Sequence, residues 1–124
     1  MGKTVSQLTP EELKRYDPTR NLKKGLDAER WARAQAKLPE ITALLREQFD
    51  VERVRVFGSL IDKDRYTRWS DIDIAVWGLA PERYYSAVGA VNDLAEDIKV
   101  DIVDFLRCSS HKLRQIIEEE GIDL

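Results

Sequence analysis

The stretch FGSLIDKDRYTRWSDIDIAVW, residues 57–77, decides how the chain is to be interpreted. An apolar run ends at Gly58 and Ser59, eleven mostly polar residues follow, and a second apolar run opens with Asp71 and Asp73. Side chains alternate between the two faces of a strand, so the two aspartates share one face while the isoleucines between and after them face the core. Strands that only build a core do not usually begin with paired carboxylates.

Short strands and amphipathic helices surround this stretch. Apolar residues recur at three- and four-residue spacing from 27 to 49, which predicts a helix that Pro39 bends or splits. Strands are predicted over 53–58, 71–77 and 99–105, and further helices over 81–98 and 111–120. Helices alternating with short strands predict an α/β (α+β) fold, in which a small mixed β-sheet is flanked by helices.

A third carboxylate, Asp101, lies in the third predicted strand between two apolar residues. If the second and third strands are neighbours, alternation brings Asp101 beside Asp71 and Asp73. Carboxylate oxygens on one face suit Mg²⁺, and three converging carboxylates can hold the two ions used in in-line phosphoryl transfer. The motif SDID alone is more typical of a solvated strand end, and it is Asp101 that favours a metal site.

Gly58 and Ser59 supply the phosphate side of the predicted site. A glycine at the end of a strand allows the backbone to approach a ligand closely, and a serine at the start of the next helix offers a hydroxyl and N–H groups to an anion. A Gly-Ser pair after a strand is by itself commonly a turn. The prediction of a phosphate site therefore depends on the three aspartates being close by.

Composition and charge limit the classes of function. The 124 residues are 43% hydrophobic and 35% charged, which predicts one globular domain. Residues 1–24 carry a net charge of +3 and the other 100 residues carry −6, so direct binding to nucleic acid is not expected. Cys108 is the only cysteine, which excludes an intrachain disulfide, and no apolar stretch is long enough to cross a bilayer. We therefore expect a cytoplasmic protein.

Taken together, FGS, SDIDIAV and VDIVDF resemble the minimal nucleotidyltransferase (MNT) domain of the DNA polymerase β-like superfamily, over roughly residues 27–124. The resemblance implies the polymerase β-like nucleotidyltransferase fold and an enzyme that transfers a nucleoside monophosphate, most simply AMP from ATP, to an acceptor. It also implies that Gly58 and Ser59 bind the nucleotide and that Asp71 and Asp73 hold Mg²⁺. Asp101 would be the third metal ligand and would take the proton from the attacking hydroxyl, so all three aspartates are predicted to be catalytic.

The resemblance extends to a partner protein. MNT proteins of this size often resemble the antitoxin of a toxin–antitoxin pair, whose partner is a HEPN-domain RNase that the MNT protein can adenylylate on a tyrosine. A HEPN-type toxin is therefore the expected partner and acceptor. Two alternatives stay open: neutralisation of the toxin by contact without catalysis, and transfer to a small molecule, for which 124 residues leave little room to hold the acceptor.

The chain is predicted to divide into a basic N-terminal helical extension, residues 1–25, and an MNT domain, residues 26–124. The extension either binds the partner or folds back on its own domain. A second copy of the chain is a further candidate partner.

The segment between Gly-Ser and the aspartates departs from the family pattern. Leu60 stands where a basic residue is common, and LIDKDRYTRW contains no glycine. Lys63, Arg65 and Arg68 are the candidates for the cation at the nucleotide phosphates. Trp69, just before the strand, is expected to pack against the protein rather than to stack on a base.

Overall fold

The structure is a computed structural model, and it describes residues 25–124. Its helices are α1 (Ala28–Phe49), α2 (Tyr84–Ala95) and α3 (His111–Glu120), and its strands are β1 (Arg53–Phe57), β2 (Ile72–Trp77), β3 (Val100–Asp104) and β4 (Ile122–Asp123). Short 3₁₀ helices span Gly58–Ile61, Lys63–Arg65, Pro81–Arg83 and Phe105–Arg107. All but the last residue of the predicted N-terminal extension lies outside the described residues.

The four strands form one mixed sheet in the order β3-β2-β1-β4. β1 is antiparallel to both β2 and β4, whereas β2 and β3 are parallel. The predicted fold class, a small mixed sheet flanked by helices, is confirmed. The adjacency of the second and third strands, on which the role of Asp101 depends, is also observed.

Helices cover the two faces of the sheet unequally. The main hydrophobic cluster joins α1 and α2 to the inward-facing residues of the sheet, among them Val54, Ile74 and Ile102. A smaller cluster covers the opposite face, where Ile117 of α3 packs with Phe57, Ala75 and Phe105. Asp73 lies two residues before Ala75 on that second face, at the margin of the area that α3 covers.

Helix α1 runs without interruption through Pro39, so of the predicted bend or split the split is wrong. The proline is on the exposed side of the helix, and the buried residues Leu38 and Ile41 hold the helix to the core on either side of it. A proline costs about 3 kcal/mol in a helix interior, which burial of two large apolar side chains offsets. Asp27 caps the helix by accepting a hydrogen bond from the Arg30 N–H at 2.8 Å.

Two further boundaries differ from the sequence prediction. The helix predicted over 81–98 is a 3₁₀ turn followed by α2, which ends at Ala95 with Glu96 at a φ of 61°. Strand β4 was not predicted; it pairs with β1, and the Leu124 N–H donates to the Val54 carbonyl at 2.9 Å. No helix within residues 25–124 is long and apolar enough to cross a membrane.

Candidate active site

Asp73 and Asp101 lie side by side on neighbouring strands. The parallel register of β2 and β3 pairs these two residues directly, and both are half-buried. Neighbouring strands are about 4.8 Å apart, so two carboxylates on the same face at paired positions are crowded. Asp71 precedes β2 by one residue and belongs to the same face by alternation.

This crowding has an electrostatic consequence at Asp73. Burial, followed by the negative charges of Asp101 and Asp71, raises the pKa of Asp73 from 3.8 to about 6, while the charge of Lys99 acts in the opposite direction. A carboxyl group that is hard to ionise beside other acids is one that a bound cation would stabilise in its charged form. The carboxylates are therefore arranged for a positive ligand.

The backbone of Gly58 lies close to the Asp73 side chain. Its φ is +76°, which glycine adopts freely and other residues do not. A Cβ atom at this position would lie 2.6 Å from the Asp73 Oδ2 atom, which is too close for any real contact. The glycine is thus required both by the turn after β1 and by the approach of the backbone to the acidic side chain.

The helix expected to start at Ser59 is a single 3₁₀ turn, Gly58–Ile61, and not a full α-helix. A turn of four residues has little of the dipole that makes an α-helix N-terminus attract anions. An anion at Gly58 and Ser59 would therefore depend on individual N–H groups and the serine hydroxyl. Nucleotide binding by these two residues stays a prediction.

The donor set fits a magnesium ion that arrives with its substrate. Within residues 25–124, no three aspartate, glutamate, histidine or cysteine side chains form a preassembled metal site. The register of β2 and β3 brings Asp73 and Asp101 together as a pair, and Asp71 is near enough for its charge to act on Asp73. Mg²⁺ usually takes one or two carboxylates and completes its shell with waters and substrate phosphates, so two adjacent carboxylates are sufficient. The assignment of all three aspartates as ligands stays a prediction.

The glycine-free segment that follows Ser59 is anchored to α1. Leu60 is fully buried, and its carbonyl accepts hydrogen bonds from Trp31 Nε1 at 3.0 Å and Gln35 Nε2 at 2.9 Å. Leu60 therefore acts as a core residue, which explains why a basic side chain is absent at this position. Trp31 and Gln35, which donate these hydrogen bonds, belong to no recognisable motif. The sequence predicts only that Trp31 lies on the apolar face of the helix.

A second set of contacts fixes the end of the segment that leads into β2. Tyr66 is fully buried, and its carbonyl accepts the Asp27 N–H at 3.1 Å. The Arg30 guanidinium donates to the Ser70 carbonyl from Nη2 at 3.0 Å and from Nε at 3.3 Å. These contacts hold the chain immediately before Asp71. Sequence reasoning missed Arg30 and Tyr66, because a lone arginine and a lone tyrosine give no signal of a tertiary contact.

Two of the three predicted phosphate cations, Arg65 and Arg68, contact other side chains. Arg65 Nη1 lies 3.9 Å from Glu120, and the Arg68 guanidinium stacks over the Trp69 ring at 4.2 Å from its centroid. Trp69 is 69% exposed, so the expectation that it packs against the protein is wrong.

Lys63 is exposed and forms no ion pair with any residue of the described part. Lys99, which was not among the candidates, lies with its Nζ 3.5 Å from Asp101 Oδ1.

A known protein family and several solved structures are similar to this chain. Residues 39–124 match the family described as "Polymerase beta, Nucleotidyltransferase". A comparison with curated protein sequences gives no significant match.

Several solved structures are similar. One is a mutant of the toxin–antitoxin complex MntA-HepT, with 32% identity, 69% of each chain covered and a TM-score of 0.56. A second is the tri-AMPylated Shewanella oneidensis HEPN toxin in complex with MNT antitoxin, with 29% identity, 73% of this chain and 70% of the other covered, and a TM-score of 0.53. A third is a toxin–antitoxin with AMP-PNP, with 27% identity, 72% and 70% covered, and a TM-score of 0.57.

The matched segment, residues 39–124, is more than half of the chain and contains Gly58, Ser59 and the three aspartates. The resemblance inferred from FGS, SDIDIAV and VDIVDF is thereby confirmed at the level of the family. The chain belongs to the polymerase β nucleotidyltransferase family.

Proposed function

We propose that this chain is a Mg²⁺-dependent antitoxin enzyme that transfers AMP from ATP to a hydroxyl group of a HEPN-type toxin. The observation that carries the proposal is the pairing of Asp73 with Asp101 on one face of two parallel strands, with Gly58 against Asp73. Carboxylates placed in this way, beside a backbone turn open to a phosphate, are the parts that metal-assisted nucleotidyl transfer requires.

The reaction is an in-line displacement at the α-phosphorus of ATP. The acceptor hydroxyl oxygen forms a bond to the α-phosphorus, the bond from that phosphorus to the bridging oxygen of the β-phosphate breaks, and pyrophosphate leaves. Asp101 takes the proton of the hydroxyl, and Gly58 and Ser59 hold the phosphates of the leaving group. Asp71, Asp73 and Asp101 would hold magnesium, which would supply neutralisation of the phosphate charge.

The toxin is proposed as acceptor because of the similar solved structures. Two of them are described as complexes with a HepT or HEPN toxin, and in one the toxin is tri-AMPylated. A third was determined with AMP-PNP, an ATP analogue, which supports ATP as the nucleotide. The described site also lies at the margin of the α3-covered face, which leaves room for an acceptor carried by a protein.

The test is transfer of label from α-³²P-ATP to a purified HEPN-type toxin in the presence of Mg²⁺. Replacing Asp73 and Asp101 with asparagine should lower the rate by about 10²-fold or more, because an acid–base group and a metal ligand are both lost. Asp93→Asn, an exposed change on α2, serves as the matched control. Equal labelling by the double variant and the control would exclude catalysis at this site.

A second candidate is neutralisation of the toxin by contact alone. It is favoured by a similar solved structure, in which an MNT antitoxin is in complex with a HEPN toxin. The two functions separate in cells that express the toxin. A double variant, Asp73→Asn with Asp101→Asn, that still protects those cells acts by contact, whereas loss of protection with unchanged toxin binding points to catalysis.

A further inference from the structure

Lys99 occupies a position that neither the family match nor the predicted cations account for. Asp73 pairs with Asp101 in the β2–β3 register, and counting back two residues along both strands places Lys99 opposite Asp71. The Ile72 N–H donates to the Lys99 carbonyl at 2.8 Å, so the backbone of the lysine is fixed between the two aspartates of the SDID motif. Three carboxylates and one ammonium therefore share this corner of the sheet.

The β3 residue between Lys99 and Asp101 is held on both sides. Val100 is buried, and the Asn92 side chain accepts its N–H at 2.8 Å and donates to its carbonyl at 3.0 Å. The lysine and the aspartate thus project from a strand segment that cannot rotate freely. Their side chains lie on the same face by alternation, and Lys99 Nζ is 3.5 Å from Asp101 Oδ1.

Stability alone does not explain this ion pair. The Lys99 side chain is 67% exposed and that of Asp101 is 45% exposed, and pairs of this kind contribute little to folding. Within the described part of the chain, Lys99 is the only basic residue that forms an ion pair with any of the three aspartates. The pair matters for which way the Asp101 carboxylate points.

We propose that Lys99 is a positioning residue, whose ammonium holds the Asp101 carboxylate on the acceptor side of the site and competes with divalent metal for it. This inference rests on the proposed function, because it assigns the lysine to the group that takes the proton from the acceptor hydroxyl. Lys99 is on the β3 side of the aspartates, and Gly58 and Ser59 follow β1 on the other side. The lysine therefore acts on the attacking hydroxyl and not on the leaving pyrophosphate.

Lys99→Gln should strengthen metal binding and slow the transfer of AMP. Mn²⁺ should bind the nucleotide-free protein about five-fold more tightly, because a competing charge near a half-exposed carboxylate is removed. The kcat for transfer of AMP should fall by about ten- to a hundred-fold with little change in the KM for ATP, because the base is no longer oriented. Lys99→Arg keeps the charge and should restore the wild-type Mn²⁺ affinity and part of kcat.

The experiment measures free Mn²⁺ by electron paramagnetic resonance in titrations of the full chain, and transfer kinetics with α-³²P-ATP and the HEPN-type protein. Lys112→Gln, an exposed lysine on α3, removes the same charge elsewhere and should change neither quantity. Unchanged or weaker Mn²⁺ binding by Lys99→Gln overturns the proposal, as does an unchanged kcat when the wild type is active. Absence of transfer by the wild type contradicts the proposed function, whereas the Mn²⁺ titration still reports on the competition.

Discussion

Asp73 is harder to ionise in the folded protein than in the unfolded chain, and this links its chemistry to stability. Its folded pKa of about 6 exceeds the ordinary value of 3.8, so the folded protein favours the protonated carboxyl. The contribution of this protonated group to the unfolding free energy is complete below pH 4 and is lost as the pH rises through 6. At pH 7.5 the ionised carboxylate therefore destabilises the metal-free fold. Asp73→Asn should raise the unfolding free energy in EDTA by about 1–2 kcal/mol, since partial exposure screens part of the full shift.

Urea unfolding at several pH values checks this expectation. The advantage of Asp73→Asn over the wild type should narrow as the pH is lowered from 6 towards 4, because the wild-type carboxyl becomes neutral as well. Asp93→Asn on the exposed side of α2 should show no such dependence. If the difference in unfolding free energy between Asp73→Asn and the wild type is the same at pH 4.5 and at pH 7.5, the raised pKa of Asp73 is contradicted.

Gly58 gives a prediction in which stability and activity fall together. Gly58→Ala places a side chain at a φ of +76° and 2.6 Å from Asp73 Oδ2, so either the turn or the carboxylate must move. We expect the unfolding free energy to fall by about 1–3 kcal/mol and AMP transfer to be lost. Gly89→Ala is the matched control, because nothing lies within 4 Å of its added Cβ in α2 and alanine favours the helix. The control should be about 0.5–1 kcal/mol more stable than the wild type in urea unfolding.

Side chains of α2 form hydrogen bonds with backbone groups at the outer edge of β3. Asn92 bonds both the N–H and the carbonyl of Val100, and the Tyr84 hydroxyl donates to the Ile102 carbonyl at 2.6 Å. An edge strand with free backbone groups is prone to pair with another chain. Asn92→Ala should therefore lower the unfolding free energy by about 1–3 kcal/mol and increase self-association.

Urea unfolding and light scattering after size-exclusion chromatography measure the two effects of Asn92→Ala. Asp93→Ala changes the neighbouring exposed residue on the same helix and should alter neither. A monomeric Asn92→Ala protein with wild-type stability would show that the bonds to Val100 contribute nothing to the edge.

Elements with a repeating pattern could be predicted from the sequence, whereas those held by tertiary contacts could not. The apolar periodicity predicts α1, and the alternation in β2 places Asp71 and Asp73 on one face, both without any structure. The continuity of α1 at Pro39 and the pairing of β4 depend on packing and on a neighbouring strand, which no local pattern encodes. The raised pKa of Asp73 likewise requires burial and a neighbour from another strand.

The same distinction applies to the segment between Gly58 and Asp71. The basic residues of this segment predict a cation for the phosphates, but its sequence does not predict that Leu60 and Tyr66 are buried, because their burial depends on packing against α1. The contact of Lys99 with Asp101 depends on side-chain positions in the folded protein, which no local pattern encodes. Alternation within a strand can therefore be predicted from the sequence, whereas the register between strands and the counter-charges depend on the folded arrangement.

The two faces of the sheet have unequal roles in the molecule. The cluster with α1 and α2 holds most of the buried apolar residues, while the α3 cluster around Ile117 is small and ends near Asp73. The larger cluster supplies stability, and the sparsely covered face leaves the ends of β2 and β3 accessible. Because the larger cluster supplies the stability, crowded carboxylates can be tolerated at the sparsely covered face.

The two clusters connect the helices and strands of residues 25–124, and we predict that this part folds without the basic extension. A chain that begins at Gly25 should unfold cooperatively in urea, with a free energy of unfolding on the order of 5–15 kcal/mol and the Mn²⁺ affinity of the full chain. If the extension binds the partner, the shortened chain loses affinity for the HEPN-type toxin at unchanged stability. If the extension folds back on its own domain, its removal lowers the unfolding free energy by more than about 1 kcal/mol. Removal of a solvated segment would lower it by less than about 0.5 kcal/mol. A non-cooperative transition would contradict the division of the chain into an extension and an MNT domain.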